Sequence, residues 1–292
     1  MRYSYYPGCS LEVTAKPYDA SARAVCQALD IELEEVDDWN CCGATSYISI
    51  RELISFAISA RNLALAEKKK NDLVTVCPAC YTVLNKANIY INEKEDIKKT
   101  VDEALAVANL KYDGTIKVRH LLDVIVNDVG LQKIQPKIKK RLEGLKIAPY
   151  YGCQISRPHG TFDDPEFPMT MDNLFSSLGA EVVNFPLKAK CCGGILITTE
   201  LEESLKLIKD LLSCAQDNKA ELIVTACPLC EINLEGYQKK VNKKFKTVFS
   251  IPAIYFTQLL GVALGLSKEK LLIGKELVSA EKVLDRFYGG KR

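Results

Sequence analysis

The stretch Asp72–Cys80 reads DLVTVCPAC, and Glu221–Cys230 reads ELIVTACPLC. In both, a short run rich in β-branched residues leads without a break into Cys-Pro-x-Cys. Such a run predicts a strand buried on both faces, as in a parallel sheet. The proline directly after the first cysteine suits the opening turn of a helix, where its missing N–H would have had no partner. Strand, cysteine loop and helix therefore follow one another twice, and the cysteines sit where the strand stops.

The duplication is wider than these two motifs. Ten of the twelve cysteines form two sets: Cys9, Cys41, Cys42, Cys77 and Cys80, then Cys153, Cys191, Cys192, Cys227 and Cys230. Thirty-one residues separate Cys9 from Cys41 and 37 separate Cys153 from Cys191, whereas 34 separate the CC pair from the CPxC motif in both sets. RYSYYPGC (2–9) is echoed by KIAPYYGC (146–153), and IKVRHLLDVIVNDVGL (116–131) by IPAIYFTQLLGVALGL (251–266). The chain of 292 residues is thus read as two domains, 1–145 and 146–292. The charged stretch QPKIKKRLEG joins them, and KELVSAEKVLDRFYGGKR is expected to form an amphipathic tail helix. Cys26 and Cys214 stand outside the pattern and read as small apolar core residues.

Each copy alternates strand and helix. Tyr3–Tyr6 predicts a strand that ends at Pro7-Gly8-Cys9, and helical spacing follows over 14–29. IELEEV is a second strand, a long helix is expected from Gly43 through Leu53, Phe56, Leu63 and Leu65, and LVTV is a third strand. KIAPYY, AEVVNF and LIVTA repeat the strands in the second copy. The expected class is α/β: two duplicated domains, each a small parallel sheet with flanking helices. In each, a cysteine-ligated cluster lies at the C-terminal ends of the strands. Loops at that one end bring cysteines some 70 positions apart to a common point. Backbone N–H groups at helix starts there offset thiolate charge.

Composition narrows the chemistry. A net charge of +2 gives no electrostatic case for a nucleic-acid partner. No apolar run reaches the length of a membrane span, and the strand-like MRYSYY start lacks the apolar core of a signal peptide. In a long chain without an export signal, the cysteines read as metal ligands in a reducing cytoplasm rather than as disulfides. No G-x-G-x-x-G or P-loop appears, so no flavin or nucleotide is expected in this chain.

Five thiolates per copy exceed by one the four of a structural zinc. An ordinary iron–sulfur cubane also needs only four, commonly with a compact C-x2-C-x2-C run that is absent here. The count therefore points to a cluster in which neighbouring thiolates share irons, with zinc plus a spare cysteine as the alternative. The double pattern C-x31-CC-x34-C-x2-C and C-x37-CC-x34-C-x2-C resembles the cysteine-rich CCG domain. Two such domains without a ferredoxin module resemble, over nearly the whole chain, the B-type component of methanogen heterodisulfide reductase. That resemblance implies two noncubane [4Fe-4S] clusters, one on each set of five cysteines, with the coenzyme M–coenzyme B disulfide cleaved reductively between them. It implies two partners from the same reductase, a ferredoxin-like C-type component and a flavin-bearing A-type component, with a hydrogenase or formate dehydrogenase upstream. CCG domains also occur in lactate, glycerol-3-phosphate and succinate/fumarate oxidoreductases, where they relay electrons.

The two copies differ in charge around their cysteines. DDWNCCGA (37–44) becomes LKAKCCGG (187–194), and Val13 and Ala15 have Arg157 and His159 as counterparts. Arg157, Lys188 and Lys190 are therefore expected to bind an anionic substrate end at the second site, with His159 as proton donor to a leaving thiolate. His120, aligned with Tyr255, reads as packing. Trp39 reads as a cover over the first site or a core anchor.

Overall fold

The computed structural model describes residues 1–44, 50–160 and 162–289. Strands β1 (Arg2–Tyr6), β2 (Glu32–Glu35), β3 (Leu73–Thr75) and β4 (Val118–His120) form one sheet in the order β2-β1-β3-β4. Strands β5 (Lys146–Tyr150), β6 (Glu181–Val182), β7 (Leu222–Thr225) and β8 (Ala253–Tyr255) form a second in the order β6-β5-β7-β8. Every pairing is parallel. The two sheets are copies of one topology, as the duplicated α/β reading requires. Their fourth strands, VRH and AIY, lie inside the matched segments 116–131 and 251–266; the sequence matched these segments but did not resolve them as strands.

The central strands are buried on both faces, which is why LVT and LIVT carry no alternation. β6 is shorter than its counterpart β2. Val36 N–H donates to Tyr5 O at 3.0 Å and prolongs the first edge pairing. Pro149, at Tyr5's place in the second copy, keeps that carbonyl but has no N–H of its own to give the edge strand, and the β5–β6 ladder stops at Ile147–Val182.

Helix Lys16–Ala28 of the first half packs on helix Phe256–Ala263 of the second. One apolar core runs through both halves, from Tyr5 and Val25 to Val224 and Leu260. Two smaller cores flank it. One holds Cys42, Cys77 and Cys80, the other Cys192, Cys227 and Cys230.

Two expected helices differ. The helix after the first CC pair runs Glu52–Glu67, and residues 45–49 lie outside the described residues. Among the described residues the tail forms Glu281–Leu284 with a 3-10 turn Asp285–Phe287 in place of one continuous helix. Ahead of it the backbone is engaged elsewhere: Val278 N–H donates to Glu235 Oε1 at 2.9 Å, and Leu284 is packed into the shared core.

Candidate metal centres

Each set of five cysteines gathers at the carboxyl end of its sheet. Cys9 follows β1, and Cys77 is the N-cap of helix Pro78–Glu93 after β3, which puts Cys80 in the helix's first turn. Cys153, Cys227 and Cys230 take the same places around β5, β7 and helix Pro228–Gly236. Cys9 and Cys41 sulfurs stand 3.9 Å apart, Cys42 and Cys80 3.4 Å, and Cys192 and Cys230 3.5 Å. A disulfide is about 2.05 Å long, and all twelve cysteines are thiols.

The sulfurs are held by a matched set of contacts that the sequence reading passed over. Tyr6 OH donates to Asn40 O at 2.8 Å, and Tyr150 OH to Lys190 O at 2.7 Å. Both tyrosines thereby anchor the residue just before a CC pair. Thr75 and Thr225 hydroxyls accept from Cys77 N–H and Cys227 N–H at 3.4 and 3.3 Å. The echoed YYPGC and PYYGC, and the threonine two residues before each CPxC, carried this signal. The CC loops themselves are tied differently. Asn62 brackets Asn40 through both amide atoms and Ser59 OH donates to Cys42 O. In the second copy Asn233 Nδ2 donates to both Cys192 O and Gly194 O.

Electrostatics repeat between the copies at the second cysteine of each CC pair and the last of each CPxC, but not at the first of each CC pair: a hydrogen bond with Cys42 raises Cys41, whereas its counterpart Cys191 is lowered. Hydrogen bonds from Cys41 and Cys80 hold Cys42 well below the usual thiol range, and one from Cys230 lowers Cys192. Cys80 and Cys230 are pushed well up by those same bonds. Cys191 falls to about 6, chiefly through a hydrogen bond from Cys153, then through Gly193 N–H and the nearby Arg157.

The pockets fit an iron–sulfur group. The donors are soft thiols, five to a pocket. Gly43, Gly193 and Gly194 N–H groups point at Cys41, Cys191 and Cys192 sulfurs from 3.5, 3.3 and 3.4 Å. Gly8 and Gly152, at φ +76 and +72, let the chain pass the sulfurs so closely that a Cβ would lie 3.0 Å from Cys80 Sγ and 2.8 Å from Cys230 Sγ. Among the described residues no three His, Cys, Asp or Glu side chains converge to hold a single ion.

A cavity of about 330 Å³ opens between the halves. All five cysteines of the second set line it, and the first half contributes Ala44, Pro78 and Ala79. Thr82 Oγ1 donates to Gln154 O at 2.6 Å and Asn85 Nδ2 to His159 O at 2.9 Å, tying the first CPxC helix to the loop after Cys153. None of the four residues expected to serve the substrate lines this cavity, though Arg157 lies near Cys191, which does. Lys188 is 3 % exposed and ion-paired with Asp172, whose other oxygen accepts from Tyr151 OH at 2.6 Å. Arg157 donates to Ala189 O at 2.6 Å and to Glu166 at 3.1 Å. Lys190 is exposed, and His159 meets Tyr90 edge-on. Charge count alone could not foresee these local partners.

Trp39 lies edge-on to Tyr6 at 5.4 Å and, with Cys41, lines an open groove on the first half. Cys26 is a core residue as expected, whereas Cys214 is half-buried beside Asn218. His120 is fully buried, its Nε2 2.9 Å from Val76 O and its Nδ1 accepting from Leu122 N–H, which fixes the neutral tautomer. Burial lowers its pKa from 6.5 to about 4. Its neutral form therefore stabilises the fold fully above pH 6.5, and that stability is lost as pH falls toward 4. The loss is on the order of 3 kcal/mol. His120→Gln is expected to flatten the stability–pH profile in that window, measured by chemical denaturation; equal slopes in variant and parent would refute the assignment.

The family model described as a cysteine-rich domain, CCG, matches residues 3–85 and again 147–235. A protein of Archaeoglobus profundus described as like the B-type component of heterodisulfide reductase is 32 % identical, with 100 % of both chains covered. An 8-methylmenaquinol:fumarate reductase membrane anchor subunit of Wolinella succinogenes is 31 % identical over 96 % of this chain and 98 % of its own. The B-type component of the ferredoxin/F420H2-dependent CoB–CoM heterodisulfide reductase of Methanosarcina acetivorans is 30 % identical over 98 % of this chain and 97 % of its own. Among the described residues no helix is long and apolar enough to cross a membrane.

Proposed function

Because this chain belongs to the CCG cysteine-rich domain family, in the two-domain form of the B-type heterodisulfide reductase component, we propose that it is the disulfide-cleaving subunit of a larger oxidoreductase. It accepts electrons from a ferredoxin-like partner, which is fed in turn by a flavin-bearing partner with a hydrogenase or formate dehydrogenase upstream. It reduces a heterodisulfide of the coenzyme M–coenzyme B kind to two thiols. The observation that carries the reading is the placement of the second set of five sulfurs, which open between the halves and face the start of the other CPxC helix.

Cys9, Cys41, Cys42, Cys77 and Cys80 would hold one noncubane [4Fe-4S] cluster, and Cys153, Cys191, Cys192, Cys227 and Cys230 the other. When bound, such clusters supply electrons one at a time, and two of them match the two that a disulfide needs. The chain's own work is positional. Gly193 and Gly194 N–H groups offset sulfur charge, the tyrosine and threonine contacts fix the ligand loops, and the Thr82–Gln154 bond keeps both halves on the cavity. The domains 1–145 and 146–292 then act as two wings of one site.

Anaerobically prepared protein is expected to carry about eight irons per chain with matching acid-labile sulfide, against about one or two zincs for a scaffold. With a reduced dye as donor it should convert the heterodisulfide to two thiols. The fumarate reductase relative favours a second reading, electron relay to another protein of the complex. A relay chain would hold the iron and take up the dye's electrons but release no thiol.

A further inference from the structure

Asn233 sits about one turn after Cys230 in helix Pro228–Gly236 and is fully buried. Its Nδ2 donates to Cys192 O at 3.2 Å and to Gly194 O at 3.0 Å, and it lies 3.6 Å from Cys192 Sγ. The two carbonyl oxygens fix the orientation of the amide, because they attract its NH2 group and would repel its oxygen. A side-chain N–H therefore faces a ligand sulfur of the second site.

The first copy has no such donor. Cys80 and Cys230 are counterparts, so Asn233 stands where the first copy has Val83, buried and apolar. There the CC loop is secured by Asn62 and Ser59, which bond to the backbone of Asn40 and Cys42. Among the described residues no side-chain N–H reaches Cys42 Sγ, whose neighbour is Cys80 Sγ at 3.4 Å. The arginines beside the two CC loops are each tied to a carboxylate, Arg61 to Asp38 and Arg157 to Glu166. Asn233 adds a donor without an opposing carboxylate.

We infer that Asn233 makes the two sites unequal: its N–H on Cys192 Sγ gives the second site the higher reduction potential, so that an electron entering the chain settles there. Reduction adds negative charge to a thiolate-held group, and an N–H beside a ligand sulfur stabilises the reduced form more than the oxidised one. Burial keeps water from screening that contact. The exchange is first site reduced plus second oxidised going to first oxidised plus second reduced; one electron crosses and no bond breaks. Asn233 acts through Cys192 and is a positioning residue. The inference rests on the iron–sulfur loading proposed above and holds for a disulfide-cleaving chain and for a relay chain alike.

The test is a dye-mediated potentiometric titration of the full iron-loaded chain with dithionite as reductant, followed by visible absorption and low-temperature electron paramagnetic resonance. Iron and sulfide are assayed on every sample. The parent is expected to take up electrons in two steps about 59 mV or more apart, the one-electron equivalent of a tenfold preference. Asn233→Leu, which keeps the volume and removes the amide, should lower the upper step by about 59 mV and leave the lower one in place, with iron undiminished. Val83→Asn, which gives the first copy the same amide, should raise the lower step. Coincident steps in the parent, or an upper step that Asn233→Leu leaves unmoved at full iron, would overturn the inference while the loading stands. Should Asn233→Leu shed iron, Val83→Asn decides: a raised lower step supports the inference and an unmoved one sinks it. A parent chain that takes up no iron and sulfide ends the loading reading and the inference with it.

Discussion

Gly152→Ala is expected to strip the second site of its iron and leave the first loaded, so that content drops from about eight to about four atoms per chain. Two costs combine. The residue sits at φ +72, where a Cβ costs roughly 1–2 kcal/mol. The added carbon would also stand 2.8 Å from Cys230 Sγ. That sulfur cannot retreat, because it is buried and already 3.5 Å from Cys192 Sγ. The methyl therefore displaces a ligand. Gly8→Ala is the mirror experiment, with a Cβ 3.0 Å from Cys80 Sγ and 3.3 Å from the Tyr6 ring, and should empty the first site instead. Gly144→Ala separates the two costs. It shares the left-handed backbone, at φ +74, but its Cβ meets nothing within 4 Å. It should lower stability modestly and keep all the iron. Iron and sulfide assays with low-temperature electron paramagnetic resonance read all three; undiminished iron in Gly152→Ala would show that the close approach to Cys230 is dispensable.

The fold was legible because its signals are local and doubled. LVTV and LIVTA, each running into CPxC, announce buried parallel strands whoever their neighbours are. Finding them twice, with CC pairs at the same spacing upstream, placed the sulfurs at one end of each sheet. What escaped is what depends on partners. VRH and AIY are too short to show a period, and only the β3–β4 and β7–β8 ladders make them strands. Pro149 lies inside the expected strand KIAPYY, which is continuous. Its actual effect, shortening the edge partner β6, needed the register. The tail shows helical periodicity, yet Glu235 captures the backbone at Val278 and the apolar residues reach the core through short turns. The charge difference between the copies was real, but sequence position does not say where a lysine's ammonium ends. Lys188 turns inward to Asp172 and Tyr151 stands between that pair and the cavity.

That placement gives Lys188→Met a large and specific consequence. Were Lys188 a substrate cation, its loss would raise KM and spare the fold. Here the ammonium is buried against Asp172, also donates to Pro168 O at 3.3 Å, and lies over the Phe167 ring at 4.4 Å. Methionine keeps the packing of the stem and removes the charge, which leaves the Asp172 carboxylate in the interior with the hydrogen bond from Tyr151 OH and no cation beside it. Breaking a buried pair from one side costs about 3–5 kcal/mol, or roughly 10 °C in Tm for a chain of this size. Lys188→Met with Asp172→Asn removes both charges together, and most of the stability should return, since a neutral pair of similar shape carries no stranded ion. Thermal denaturation of the two variants and of Asp172→Asn alone completes the cycle. A coupling near zero, or a normal Tm with a raised KM in Lys188→Met, would return Lys188 to the substrate. The expected outcome instead makes the Lys188–Asp172–Tyr151 chain a brace behind the second set of cysteines, a buried cation that supports the protein.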